Sequence, residues 1–404
     1  MTTTATPSAP FRQDATVIAL VGLAHAASHF GHLLLVAMFP VFIAEFSLSY
    51  AQLGFLTSVF FVVSGVGQAG AGFVVDRFGA RPLLFLALAL FALACVSASL
   101  ATGYSALVFT AALAGLANAT FHPVDFTILN QRVSAPRLGY AFSAHGLTGN
   151  LGWAAAPVFL TGVAALTDWR TAYWAAAALY GAILVLLLVY RDNLQTRVVR
   201  HAHGDKAGTG SALGFLRLSV VWWCFGFFML STMTLAVVQN FSVAILRTQY
   251  GVSLEAATFT LSAYMLSGAV GMFVGGIVAA RTVQSDRVVA GAMLAGAVLL
   301  GLCGLGVLGA TATMVVLALT GFAIGIGGPS RDMMIKRATP AGATGRVYGM
   351  VYSGLDVGFA IAPVVFGVWM DRGMYGATLL GAAFVLLLTV GAALAVGVRT
   401  PARA

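Results

Sequence analysis

Charged residues are scarce in this chain: 8% of its 404 residues are Asp, Glu, Lys or Arg, whereas 60% are hydrophobic. A soluble domain has to cover itself with polar groups, so this composition excludes a water-soluble globular fold. Cysteine is also rare. Cys95, Cys224 and Cys303 lie in apolar runs without metal-ligand spacing, which predicts buried apolar side chains. The sequence lacks a nucleotide-binding loop and a nucleophile–base motif, so we predict that the protein is not an enzyme.

Long apolar runs recur from one end of the chain to the other. Each is long enough to cross about 30 Å of hydrocarbon as a helix, which predicts an all-α membrane protein with twelve transmembrane helices. The polar N-terminus lacks the basic region of a cleavable signal, so the first run is predicted to be retained. The predicted spans are 16–45, 52–75, 82–101, 105–130, 140–166, 171–190, 219–247, 255–280, 288–310, 313–336, 346–370 and 374–398.

Basic residues are distributed unevenly between the two sides of the predicted spans. Twelve spans place both termini on the same side, and eighteen of the 21 Lys and Arg residues fall on that side. Only Arg170, Arg247 and Arg372 fall on the other side. Because cytoplasmic loops are rich in Lys and Arg, we predict a multi-pass protein of the bacterial inner membrane with both termini in the cytoplasm. The net charge of +9 therefore reflects the orientation of the spans in the membrane, and we predict no nucleic-acid partner.

The chain divides into two halves with a common plan. We predict an N-terminal six-helix bundle at 1–190, a cytoplasmic linker at 191–217 and a C-terminal six-helix bundle at 218–404. An offset of 206 residues aligns Pro123 with Pro329 and also matches Gly152 with Gly358 and Pro157 with Pro363. Earlier in each half, an offset of 204 aligns Ser49 with Ser253 and Arg77 with Arg281. Repeated six-helix halves in a membrane protein predict a pseudo-two-fold transporter.

The segment GFVVDRFGAR resembles the loop between the second and third helices of the major facilitator superfamily. The matching residues are Gly72, Asp76, Arg77, Gly79 and Arg81. The resemblance covers essentially the whole chain and implies two pseudo-symmetric six-helix bundles. It also implies a tight glycine turn that holds an Asp and an Arg where they bridge neighbouring helix ends. The second half has Ala280 in place of the aspartate.

Two further segments resemble the fosmidomycin-resistance type of bacterial efflux carrier within that superfamily. They are SYAQLGFLTSVFFVVSGVGQAGAGFVVDRFGAR and ATFHPVDF, the latter followed by GNLGWAAAP. In that group a similar Phe-His-Pro follows a glycine-rich fourth helix, and a similar Gly-Asn-x-Gly lies on the fifth. This resemblance implies efflux of a small compound. Superfamily members move very different solutes on one scaffold, so the fold alone does not identify the substrate.

Three histidines lie on one face of the first span. At about 100° per residue, His25, His29 and His32 fall within about 60° of one another. These imidazoles can carry protons, attract an anion or bind a metal ion, or they can simply hydrogen-bond to neighbouring groups. No Asp, Glu or Cys joins them on that face, so no metal site is predicted. The scaffold does not require them, because their counterparts in the seventh span are Met229, Met233 and Ala236.

The fourth and tenth spans carry opposite charges at matched positions. His122 and Asp125 lie one turn apart on the fourth span, and Arg331 with Asp332 lies at the matching place on the tenth. We predict that His122 belongs to the cavity that holds substrate and protons. We predict that Asp125 and Arg331 form an ion pair between the halves that closes a cytoplasmic gate. Alternatively, Arg331 holds a substrate anion, since guanidinium suits carboxylate and phosphonate. A third possibility is that both charges lie at the headgroup level.

A carboxylate lies deep in the eleventh span. Asp356 occupies the position that Asn150 has in the fifth span, and a midplane aspartate is costly unless it is paired, protonated or hydrated. We predict that Asp356 couples transport to protons; the alternative is a structural hydrogen bond. Asn118 and Asn240 are candidate neutral contacts for the substrate, or packing residues. His145, at the start of the fifth span, is predicted to contact the loop below it.

These observations predict a proton-coupled secondary transporter that works by alternating access and exports a small anionic or amphiphilic compound such as an antibiotic. The alternatives are an importer of an organic anion such as a carboxylate or siderophore, a metal transporter, or an uncoupled sensor or lipid scramblase. The predicted partners are a small-molecule substrate and the lipid bilayer. The protein is predicted to be a monomer without a cofactor, with the proton gradient as its energy source.

Overall fold

The structure, a computed structural model, describes residues 10–196, 217–282, 284–338 and 344–399, and this part of the chain is helical with no β-strand. Three short 3-10 turns accompany the α-helices. The α-helices are α1 (Phe11–His32), α2 (Phe39–Phe46), α3 (Tyr50–Phe78), α4 (Ala80–Ser99), α5 (Tyr104–Asn118), α6 (Phe121–Arg132), α7 (Leu138–Leu166), α8 (Trp169–Val189), α9 (Ser219–Tyr250), α10 (Leu254–Arg281), α11 (Ser285–Leu305), α12 (Ala310–Ala338), α13 (Thr344–Asp371) and α14 (Tyr375–Arg399).

The described residues form up to twelve membrane spans, which confirms the predicted fold class. Eleven stretches are long and apolar enough to cross a bilayer, and α1 with α2 forms a twelfth span that bends by 41°. The first span was expected to be one unbroken helix over 16–45. It breaks instead around a 3-10 turn at Val36–Met38, and Pro40 follows in the first turn of α2. Proline lacks an N–H and its ring displaces the carbonyl four residues earlier, which accounts for the break.

The fourth span is also interrupted. The helix α5 ends at Asn118 and α6 begins at Phe121, although the two together cross the bilayer as one stretch. Pro123 follows the interruption closely and removes a backbone donor from the first turn of α6. After this interruption α6 packs against α1, where the candidate site lies.

The internal repeat is visible in how the helices pack. A Cβ atom added to Gly115 of α5 would collide with the carbonyl oxygen of Phe60 in α3. At the matching place in the second half, a Cβ atom on Gly321 of α12 would collide with the carbonyl oxygen of Tyr264 in α10. Small residues let membrane helices approach backbone to backbone, and both halves use the same pair of positions for this purpose.

The two halves contact each other toward one end of the bundle, which we call the arginine-poor end and define by the turns at 47–49, 167–168, 251–253 and 372–374. There the Asp371 carboxylate accepts hydrogen bonds from the backbone N–H groups of Tyr50 at 2.5 Å and Ala51 at 3.0 Å. Deeper in the membrane, the Phe61 and Phe359 rings stack at 4.2 Å between centroids. Helices α3 and α13 therefore close the bundle at this end.

The opposite, arginine-rich end carries the turn of the predicted loop motif. Gly79 adopts φ +81° between α3 and α4, a conformation that favours glycine. Arg81 donates a long hydrogen bond of 3.4 Å to the carbonyl oxygen of Arg191, whereas Arg77 is exposed. The side chain of Asp76 and the surroundings of Gly72 lie outside the described part, as do residues 197–216 of the predicted linker, so the bridging role of the motif stays a prediction.

Candidate functional site

All five histidines that the structure describes come together inside the first half. Three come from α1, one from α6 and one from α7; we call His25, His29, His32, His122 and His145 the histidine cluster. Neighbouring rings in the cluster lie 3.4 to 5.5 Å apart between centroids. The predicted face of α1 thus turns toward α6 and α7. The cluster also includes one histidine that the sequence pattern assigned elsewhere.

A buried carboxylate organises one side of the histidine cluster. Oδ2 of Asp125 lies 3.0 Å from Nδ1 of His25 and 3.1 Å from Nε2 of His145. The two imidazoles stack at 3.4 Å between centroids, and the carboxylate is fully buried. The prediction that His145 contacts the loop below it is therefore wrong. Its apolar repeat counterpart, Val351, was the available signal that the scaffold does not require this imidazole.

His32 is held on both ring nitrogens. Trp153 donates its indole N–H to Nδ1 at 3.2 Å, and Nε2 lies 3.1 Å from Oδ1 of Asn118. Because an indole N–H can only donate, Nδ1 must be the acceptor and Nε2 must carry the proton. Asn118 also accepts from Ser28 and donates to Ser64. This network fixes His32 as the neutral imidazole and occupies Asn118, so neither is free for a ligand in this conformation.

In the described part of the chain, the ring nitrogens of His122 and His29 have fewer hydrogen bonds than those of His32. Nδ1 of His122 lies 3.2 Å from Oε1 of Gln68. Nδ1 of His29 is buried and has no hydrogen-bond partner among the residues that the structure describes. Gly149 of α7 borders this space, because a Cβ atom there would lie 2.8 Å from Nδ1 of His29 and 3.2 Å from Nε2 of His25. The imidazoles of His29 and His25 therefore both lie against Gly149.

The predicted ion pair between the halves is not formed in this structure. The Asp125 carboxylate is turned into the histidine cluster, whereas Nε of Arg331 binds Oδ1 of Asp332 at 3.0 Å. The guanidinium carbon also lies 4.8 Å from the centre of the Phe228 ring. Each charge thus finds a partner within its own half. The physical reason is proximity. His25 and His145 lie beside Asp125 in the first half. Asp332 follows Arg331 directly in the chain.

Asp356 and Asn240 lie at the interface between the halves. Asp356 is half-buried on α13 and faces Gly65 of α3: a Cβ on that glycine would be 3.6 Å from the Asp356 Oδ2. The Asp356 carboxylate has no hydrogen-bond or ion-pair partner among the described residues. Asn240 of α9 accepts from Thr57 of α3 at 2.5 Å, so this amide links the halves. Asn150, the counterpart of Asp356, donates to Gly146 within its own helix.

Comparison with known proteins gives a consistent picture. The family model described as Major Facilitator Superfamily matches residues 21–363 and 238–404. The fosmidomycin resistance protein of Escherichia coli (strain K12) is 26% identical over 175 residues, 43% of each chain. The chain thus spans about two fifths of that relative's length. The probable sulfoacetate transporter SauU of Cupriavidus necator is 22% identical over 363 residues, 82% of each chain.

Solved structures share the fold at low sequence identity. A bacterial homologue of the human lysosomal transporter Spinster, in an inward-facing and occupied conformation, superposes with a TM-score of 0.80. It is 13% identical, and the superposition covers 98% of both chains. The same homologue in an inward-facing and unoccupied conformation gives a TM-score of 0.72. The fold is therefore that of a membrane transporter.

Proposed function

Because the chain belongs to the Major Facilitator Superfamily, a family of small-molecule transporters, we propose that it is a proton-coupled secondary transporter that exports a small anionic or amphiphilic compound. It works by alternating access, with the two halves rocking about the site between them. The proposal includes the orientation predicted from the arginine distribution, with both termini in the cytoplasm of a bacterial inner membrane. It also includes a monomer that uses the proton gradient and no cofactor.

The Asp356 carboxylate is the observation that carries this proposal. It lies midway along α13 at the interface between the halves and has no partner among the described residues. A charged carboxylate inside the membrane is costly unless it is paired, hydrated or protonated. Protonation removes that cost and lets α13 pack against Gly65 of α3; release of the proton favours separation and hydration. Proton binding is thereby linked to the movement that alternates access.

Arg331 supports an anionic substrate. Its Nε binds Asp332, while its two terminal nitrogens make no hydrogen bond with any residue that the structure describes. The side chain is 26% exposed, so a ligand between the halves can reach it. A planar guanidinium pairs well with carboxylate, sulfonate or phosphonate groups. The names of two relatives, a fosmidomycin resistance protein and a probable sulfoacetate transporter, fit this class of solute.

The runner-up is an importer of an organic anion. It would use the same Asp356 carboxylate and the same Arg331 guanidinium. It differs from the exporter only in that solute and protons cross the membrane in the same direction. An uncoupled sensor or scramblase would use the fold without Asp356 as a proton carrier. These functions are separated by the response to an imposed pH gradient.

Transport by the purified protein in proteoliposomes tests the proposal. Fosmidomycin and sulfoacetate are the probes, and flux is recorded with the pH gradient imposed in either direction and without it. We expect the gradient to drive flux against the proton flow, and Asp356→Asn to abolish that dependence. Asp168→Asn is the control, because Asp168 is exposed and its hydrogen bonds cap α8 within the first half. Gradient-independent flux of both probes, or unchanged coupling in Asp356→Asn, would overturn the proposal.

A further inference from the structure

One ring nitrogen from each of three histidines of the cluster converges on the same space. One ligand atom from each of His25, His29 and His122 lies within 4.8 Å of the other two. Two of these rings come from adjacent turns of α1 and the third comes from α6. The sequence pattern singled out the third ligand, His122, but did not place it beside the other two, because it lies about a hundred residues away in the chain.

The hydrogen bonds of the cluster determine which nitrogens are free. Nδ1 of His25 faces a carboxylate oxygen of Asp125, and Nδ1 of His122 faces the amide oxygen of Gln68. Both oxygens accept hydrogen bonds, so both Nδ1 atoms carry the protons and both Nε2 atoms keep their lone pairs. This arrangement matches the way in which carboxylates and amides orient metal-binding histidines.

The third nitrogen has no other use in the structure. Nδ1 of His29 is buried, and no described residue forms a hydrogen bond with it. A buried polar atom without a partner costs free energy, and a bound ion would remove that cost. Gly149 keeps the space open, because a side chain there would press against the rings of both His29 and His25.

We propose that His25, His29 and His122 bind a divalent transition-metal ion such as Zn²⁺, Co²⁺ or Ni²⁺. Imidazole nitrogen suits these ions, whereas Mg²⁺ and Ca²⁺ require oxygen ligands. Metal–nitrogen bonds of about 2.0–2.1 Å require the three rings to close by roughly 1 Å. The Asp125 carboxylate behind His25 offsets part of the ionic charge. The site lies within the first half and does not depend on the proposed transport function.

A second arrangement of ligands shares His25 but uses its other nitrogen. Nδ1 of His25, Oδ2 of Asp125 and Nε2 of His145 also lie close together. These atoms already satisfy one another through two hydrogen bonds, which a metal ion would have to break. The His29 site needs no such exchange, so it is the better candidate. The two arrangements can be distinguished by which histidine substitution weakens metal binding more.

Cobalt binding to the purified full-length protein tests the proposal. The affinity tag is removed, and the variant His201→Asn/His203→Asn serves as the background, so that linker histidines do not contribute. Co²⁺ is followed by its visible absorption, and Zn²⁺ affinity is measured by competition. We expect one ion per chain with a tetrahedral cobalt spectrum. His29→Ala and His122→Ala should each weaken binding at least tenfold.

Two further variants separate a lost ligand from a disturbed fold. Gly149→Ala keeps every ligand but pushes the His29 ring away, so it should also weaken binding at least tenfold. His32→Asn should leave the affinity within about twofold, because both nitrogens of His32 are already engaged. Absence of cobalt binding by the background protein would overturn the proposal. So would a larger loss in His145→Gln than in His29→Ala, since that result would assign the ion to the alternative site.

Discussion

Gly115 packs on the backbone of Phe60 in the first half, and Gly321 packs on the backbone of Tyr264 in the second, at positions that the repeat relates. The inner faces of the halves are different. Positions that hold histidine or glutamine in the first half hold methionine or glycine in the second. The matched pairs are His25 with Met229, His29 with Met233, His122 with Gly328 and Gln68 with Met272.

This comparison separates the requirements of the fold from those of function. Close helix packing requires glycine at the crossing points, and both halves meet that requirement in the same way. The fold does not require imidazole, since the second half packs without it at every matched position. Five histidines and a buried aspartate in one half are thus a specialisation of the site. The following substitutions test that division.

Removing the buried acid should have the largest effect on stability. Asp125→Ala leaves the N–H groups of two buried, stacked imidazoles without their shared acceptor, and each unsatisfied buried donor costs about 1–3 kcal/mol. Asp332→Ala in the second half should cost only about 0–1 kcal/mol, because that carboxylate is 45% exposed where it pairs with Arg331. Unfolding of each variant in detergent gives the comparison. Equal losses would mean that the two halves do not differ in this respect.

Adding a methyl group at the matched glycines should destabilise both halves alike. Gly115→Ala and Gly321→Ala each force a Cβ against a backbone carbonyl, and overpacking of this kind costs about 1–3 kcal/mol. Gly162→Ala is the control, because nothing lies within 4 Å of its added Cβ. That change should be neutral or slightly stabilising. A loss confined to one of the two matched variants would show that the halves do not share their packing.

Sequence patterns predicted the fold well, because apolar runs and the internal repeat can be recognised along the chain without knowledge of tertiary contacts. The all-helical fold, with up to twelve spans in the described residues, and the transporter family are both confirmed, and family membership confirms that the chain is not an enzyme. The break in the first span escaped prediction, since Pro40 near the end of an apolar run does not reveal where the helix will bend. Span boundaries elsewhere agree within a few residues.

The candidate site was only partly predictable. The shared face of His25, His29 and His32 follows from helical periodicity, but their partners come from α6 and α7, whose rotation about their own axes no sequence pattern fixes. The contact between Asp125 and His145 joins residues twenty positions apart across a turn and a helix break. The predicted pairing of Asp125 with Arg331 considered charge alone and ignored the nearer partner of each group.

Removing the Asp371 contact between the halves should cause the smallest loss of stability. This contact also has no counterpart at the matching position of the first half. Asp371 accepts from the first backbone N–H groups of α3, whereas the matching residue of the first half, Ala165, can accept nothing through its side chain. Loss of a helix cap costs about 0.5–2 kcal/mol. Because this cap joins two halves, Asp371→Ala should shift the population toward separation at the arginine-poor end. Spin labels on cysteines introduced at Thr167 and Val307, both exposed, report the distance.

Asp168→Ala is the matched control for that shift, since Asp168 caps α8 at the same end but within one half. Hydrogen bonds from Thr171 lower the pKa of Asp168, so its carboxylate is ionised at neutral pH. Its stabilising effect is then fully present and disappears only as the pH falls through that lowered pKa. We therefore expect Asp168→Ala at neutral pH to lower the unfolding temperature without changing the distance between labels. A distance change in both variants would mean that helix capping in general, and not the contact of Asp371 with α3, holds the halves together.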